Sequence, residues 1–176
     1  MRRLVGCLAL VGLWPVAAAA EPSAELQRRM TGRFRVAESE SVLQPRLAAA
    51  IDHAVEPMNF VARPIARSRL RSVVYYCEQY EMALGPETVR VACDERPRIE
   101  RRLDNSEGPV AGLQPDPVDV KVQVATDTVE LRFAGPDGTR ITTYRFDDAG
   151  ALEVSVKVVS ASLERPVTWQ VRYRRE

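Results

Sequence analysis

Arg63, Arg67 and Arg71 recur every four residues, a spacing that stacks side chains along one face of a helix. Guanidinium groups grip carboxylates and phosphates through paired N–H donors. The row therefore reads either as a solvated face or as the rim of an anion site, which Arg140 would complete from a neighbouring strand. Tyr76, Tyr144, Trp169 and Tyr173 fall at inward-facing positions. Their rings would bury apolar area while their polar tips remain available, which suits a cavity lining and a packed core alike. His53 is the only histidine, on a predicted helix between Ile51 and Val55. One histidine builds neither a His-based zinc site nor, without a G-x-S-x-G elbow, a Ser-His-Asp triad. It reads as an exposed helix residue. No glycine-rich phosphate loop or dinucleotide fingerprint occurs. No catalytic residue, metal site or cofactor is expected, and the protein is not expected to be an enzyme.

The first twenty residues explain the setting. Arg2-Arg3, the apolar stretch Leu4 to Val16 and Ala18-Ala19-Ala20 have the parts of a secretory leader, cut after Ala20. The stretch is short for a membrane span, so none is expected in the mature chain. Residues 21–30 read as a polar lead-in and 31–176 as one domain. The expected location is the periplasm or the medium. Across the chain 25 basic residues face 24 acidic ones, and losing Arg2 and Arg3 leaves the balance near neutral. Nucleic acid is therefore not an expected partner, since phosphate binding needs a basic surplus.

With Cys7 in the leader, Cys77 and Cys93 remain, an even pair in an exported chain. They are symmetric about Gly85, inside the turn signal Leu84-Gly85-Pro86-Glu87. A hairpin folding there would set them opposite each other for a cross-strand disulfide, ahead of buried free thiols or a redox site.

The elements that must position these residues are mostly strands. Val118 to Val124, Val129 to Phe133, Thr139 to Asp147, Leu152 to Val158 and Val167 to Tyr173 alternate apolar and polar residues, the pattern of antiparallel sheet with one covered face. Thr126-Asp127 pairs Val122 with Leu131. An Asp137-Gly138 hairpin pairs Leu131 with Tyr144 and Val129 with Phe146. A turn at Asp148-Ala149-Gly150 pairs Phe146 with Leu152 and Tyr144 with Val154; Val156 then faces Trp169, and Val154 faces Val171. All these pairs lie on one face.

Further upstream, Leu70 to Tyr80 is expected to pair with Thr88 to Glu95, with another strand over Arg98 to Leu103 and a surface loop over 104–117. Thr31 to about Ser39 forms a first strand. Between it and the rest, Leu47, Ile51, Ala54, Val55 and Met58 recur at helical spacing, and Pro57 and Pro64 divide the segment into helices at 44–56 and 58–67. The fold class is thus mainly β, an antiparallel up-and-down β-barrel of about 8–10 strands with a helix-turn-helix insert at 42–68 after the first strand.

Gly32-x-Phe34 opening the first strand, with an Arg-rich last strand, resembles the calycins, the barrels of lipocalins and fatty-acid-binding proteins. The lipocalin motif is G-x-W with a late-strand arginine stacked on the tryptophan; the resemblance implies that Arg172 or Arg174 stacks on Phe34. A helix-turn-helix between the first two strands is the fatty-acid-binding arrangement, where it forms a lid. Those proteins use an inward R-x-Y in the last strand. Arg172 and Tyr173 are adjacent here and face opposite sides, so that carboxylate site does not carry over. The layout is also similar to uncharacterised exported bacterial proteins.

The expected function is therefore an exported small-molecule binding protein of the bacterial envelope, taking an apolar or fatty-acid-like ligand with an anionic head. Arg63, Arg67, Tyr76, Arg140, Tyr144, Trp169 and Tyr173 are its candidate contacts. The alternative is a non-enzymatic envelope interaction module with a filled barrel core.

Overall fold

The computed structural model describes residues 21–110 and 118–176. The leader read in residues 1–20 and the last part of the predicted 104–117 loop lie outside the described residues. The chain opens with α1 (Ala24–Met30), β1 (Gly32–Val36), α2 (Glu40–Val55) and α3 (Ala62–Val73). The strands β2 (Gln79–Leu84), β3 (Thr88–Cys93), β4 (Ile99–Arg102) and β5 (Glu107–Val110) follow. The meander is then β6 (Val118–Val124), β7 (Thr128–Gly135), β8 (Gly138–Phe146), β9 (Leu152–Val159) and β10 (Val167–Arg175).

All ten strands form one antiparallel sheet in the order β4-β3-β2-β1-β10-β9-β8-β7-β6-β5. Each pairs with its sequence neighbour, except that β1 joins β10 and β4 and β5 are left as edges. Arg101 of β4 donates to the carbonyls of Gly108 and Pro109 in β5, so a side chain crosses the seam where a backbone ladder would close the barrel. The fold is the expected up-and-down barrel with helices after the first strand. No described helix is long and apolar enough to cross a membrane.

Alternation decides which face goes inward. In β10 Val167, Trp169, Val171 and Tyr173 are buried while Thr168, Gln170 and Arg172 are exposed. The predicted registers hold for Val122–Leu131, Phe146–Leu152, Tyr144–Val154, Val156–Trp169 and Val154–Val171. The β7–β8 hairpin is a correction. Its loop is Pro136-Asp137, closed by Gly135 opposite Gly138, so Leu131 faces Thr142 and Val129 faces Tyr144. The slip is two residues, so every side chain keeps its face. Gly138 has φ +154, and a Cβ there would meet the Val159 carbonyl at 2.3 Å, so the hairpin is built on a glycine.

The helical segment also shifts. α2 begins at Glu40, with Leu43, Leu47, Ile51, Ala54 and Val55 buried. Pro45, which a helix starting at 44 would hold in its first turn, lies inside α2 instead. Asn59 closes the turn ahead of α3, its side-chain oxygen accepting from the N–H groups of Val61 and Ala62. Pro64 then sits in the first turn of α3, where its missing N–H costs nothing, and starts this helix instead of breaking it. α3 runs on to Val73, so Leu70 to Val73 are helical and β2 begins only at Gln79.

Two further elements were absent from the sequence reading. β5 lies in the expected 104–117 loop and pairs Glu107 with Lys121. α1 occupies the polar lead-in and buries Leu26 and Met30 against the barrel. Arg175 donates to the carbonyls of Arg28, Arg29 and Thr31 at the end of α1, and its guanidinium lies 5.3 Å from the Phe34 ring. Arg175, and not Arg172 or Arg174, is therefore the arginine on Phe34; Arg172 pairs outside with Asp147. Gly32, at φ +150, lets that guanidinium approach, since a Cβ there would meet it at 3.3 Å.

Candidate functional site

The two ends of the barrel are closed by different helices. At the α1 end Met30, Phe34, Leu131, Leu152 and Tyr173 are fully buried. Phe34 packs on Phe146, and Tyr80 meets Tyr144 and Tyr173 edge to face at 5.5 and 5.0 Å. At the other end α3 lies over a cavity of about 820 Å³, open on one side. Its walls come from α3, the connector after it, the ends of β3 and β9 and the β7–β8 hairpin. Ala62, Ala66, Leu70 and Val73 give the lid an apolar underside. Tyr80 and Tyr144 form the inner limit of the space.

Arg140 is the central polar side chain. It enters from β8, and its guanidinium lies 4.1 Å from the Tyr75 ring and 5.5 Å from Trp169. It donates to the Val73 carbonyl (3.2 Å), linking barrel to lid, and to the hydroxyl of Thr142 (3.4 Å). No carboxylate among the described residues pairs with it. Burial pushes the Tyr80 phenol up to about 12 and the Tyr144 phenol well above its usual range, with the nearby Arg140 charge opposing both shifts. Both hydroxyls therefore stay protonated, as hydrogen-bond donors, through the physiological range.

The connector 74–78 replaces the first half of the strand expected from Leu70 to Tyr80. Cys77 and Cys93 are disulfide-bonded, as expected, across 16 residues. They are not ladder partners: Cys93 lies opposite Tyr80 in the sheet, and Cys77 belongs to the connector. The bond thus ties the chain after the lid to the end of β3. Asp94, at φ +50, accepts from the backbone N–H groups of Glu78 and Gln79. The buried Tyr173 hydroxyl donates to the Cys77 carbonyl at 2.9 Å. Burial raises the Tyr173 phenol's pKa as well.

Of the seven candidate contacts, the structure brings Arg140 and Tyr144 to the cavity wall. Arg63 and Arg67 do not reach it. Arg63 donates to the carbonyls of Glu56 and Met58 at the end of α2, and Arg67 pairs with Asp52 at 2.8 Å, so both fix α3 against α2. Tyr76 lies outside the lining, whereas Tyr75 and Tyr80 are part of it. Tyr173 belongs to the aromatic layer below. Trp169 stands behind Arg140, and its buried indole N–H has no acceptor among the described residues. Arg69, Arg96 and Thr142 line the cavity and were not singled out by sequence. Ala62, Ala66, Leu70 and Val73 recur at helical spacing, a signal that would have extended α3 and moved the inward position to Tyr75.

No family model and no curated protein matches this sequence. Solved structures do resemble it. A REP1-NXSQ fatty acid transporter superposes with TM-score 0.51 at 11% identity, over 85% of this chain and 97% of that one. A Schistosoma mansoni fatty acid binding protein in complex with arachidonic acid gives TM-score 0.50 at 12% identity, over 85% of this chain and 98% of that one. The barrel of this chain thus has the calycin fold, with its helices after the first strand.

Proposed function

We propose that this protein is an exported binding protein that carries a small, mostly apolar ligand with an anionic head in the cavity beneath α3. The cavity itself carries the reading. Its volume of about 820 Å³ falls in the range of roughly 300–1,000 Å³ typical of small-molecule sites. Met58, Ile65, Leu70, Val73, Phe133 and Leu163 supply apolar wall. Each methylene buried there contributes about 0.8 kcal/mol. Arg140 offers an unneutralised charge for the head, and Tyr144 and Thr142 offer hydroxyls beside it. The structural neighbours' ligands agree in kind with such a cargo. The leader-like residues 1–20 and the Cys77–Cys93 bond favour an oxidising compartment outside the cytoplasm. A filled scaffold would not leave this space empty, which favours the carrier over the envelope interaction module.

The test is a titration of the native protein with an apolar fluorescent probe, followed by displacement with a fatty acid. Saturable binding of one probe per chain, reversed by the acid, is expected. A signal that never saturates, or that the acid leaves unchanged, would overturn the proposal.

A further inference from the structure

Arg96 and Arg140 share one aromatic ring. Their guanidinium carbons lie 3.7 and 4.1 Å from the centroid of Tyr75, one arriving from the turn after β3 and the other from β8. Two cations held together in this way repel each other unless an anion joins them. The described residues supply none. Neither arginine forms an ion pair, and Arg69, the third arginine of the lining, has no carboxylate partner either. The single acidic residue of the lining, Asp137, is likewise unpaired. Three positive charges against one negative leave the mouth with an excess of two. Arg140 spends two donors on Val73 and Thr142, whereas the Arg96 guanidinium makes no hydrogen bond to any described residue; only its backbone N–H donates, to the Cys93 carbonyl.

We infer that this mouth selects a phosphate monoester on a single alkyl chain over the corresponding carboxylate. The inference rests on the carrier reading above and names the head that the carrier takes. A carboxylate brings one charge and two oxygens, which satisfy one guanidinium fork. A phosphate monoester brings close to two charges and three terminal oxygens, enough for two forks and for the excess charge. The two guanidinium carbons can be no farther apart than the sum of their distances to the Tyr75 centroid. One tetrahedral anion at the ring's edge, with N–H···O bonds of about 2.8 Å on either side, spans that gap. The alkyl chain would then run beneath α3 towards Tyr80 and Tyr144. This site lies at the lid end and uses none of the last-strand residues.

Dodecyl phosphate, dodecanoate and dodecanol, three ligands with one tail, are competed against the apolar probe on the full chain. The phosphate should displace it at about tenfold lower concentration than the carboxylate, with the alcohol weakest. The double variant Arg96→Gln/Arg140→Gln should bring the phosphate down to the level of the alcohol measured on the same variant. Because Arg96 is exposed, Arg96→Gln alone gives the same readout, reduced in size, if the double variant does not fold. Equal or tighter binding of the carboxylate, or a phosphate preference that survives these substitutions, overturns the inference while the carrier stands. Failure of all three ligands, the alcohol included, overturns both.

Discussion

The α1 end and the α3 end of this barrel use the same ladder and the same alternation, yet one is solid and the other hollow. At the α1 end the inward positions carry Phe34, Leu131, Leu152 and Tyr173, and α1 adds Leu26 and Met30. At the α3 end they carry Val118, Thr142, Val158 and the bonded Cys93, and the covering helix presents Ala62 and Ala66. Side-chain volume at these positions differs between the two ends. Large residues fill the barrel's cross-section to interior density, whereas small ones leave a space that only a second molecule can fill.

The largest effect is expected in the solid half. Phe34→Ala removes a fully buried ring that packs on Phe146 and carries Arg175, and should lower the unfolding free energy by about 3–5 kcal/mol in denaturant titration. A loss below about 1 kcal/mol would mean that this end is not close-packed. Next comes the link between the halves. Replacing both Cys77 and Cys93 by serine should cost about 3 kcal/mol through the entropy of the freed loop. The same variant should release probe faster, because the connector after the lid loses its tie to β3. Unchanged release would confine the disulfide to a purely structural part.

The boundary between the halves should respond to pH. The folded state holds the Tyr80 proton up to about 12, whereas the unfolded chain releases it near its ordinary value of 10.0. Stability should therefore be unaffected below about pH 10 and fall as the pH rises through about 12, by roughly 2–3 kcal/mol for this residue. Tyr144 contributes in the same direction. Tyr80→Phe should flatten the profile; a profile as steep as that of the parent would show that the phenol is not buried. The smallest effect belongs to the hollow half. Ala66→Phe fills cavity space and should change stability by less than about 1.5 kcal/mol while sharply weakening probe binding. A large loss of stability would mean that the space beneath α3 is already packed.

This contrast also explains how much was legible in the sequence. Period-2 alternation assigns faces, so the meander, the barrel and the inward positions of Val122, Leu131, Tyr144 and Trp169 could be read. It is blind to volume, so hollow and filled interiors looked alike. It is equally blind to an even slip, which is why the β7–β8 register could be wrong by two residues with every face right. Arg175 shares parity with Trp169, Val171 and Tyr173, whereas Arg172 and Arg174 point outward, so the stacking arginine could have been chosen by parity. α1 was hidden in a short polar stretch whose signals are Ser23, which accepts from the Leu26 N–H, and the pair Leu26 and Met30. Of the candidate site, Arg140 and Tyr144 were found from strand parity. Arg63 and Arg67 were drawn in by helical spacing, which says nothing about the partners that a helix will meet.

The pairing of β1 with β10 sets the order in which the molecule can assemble. Phe34 lies opposite Arg175, and Val36 opposite Tyr173, so one side of β1 has no partner until β10 has been synthesised. The contacts that join β1 to β10 are thus among the most distant in sequence, and their formation is slow compared with that of the neighbouring hairpins. Until then β1 and β10 each present an open strand edge, a hazard for pairing with other chains that ends only when the two meet.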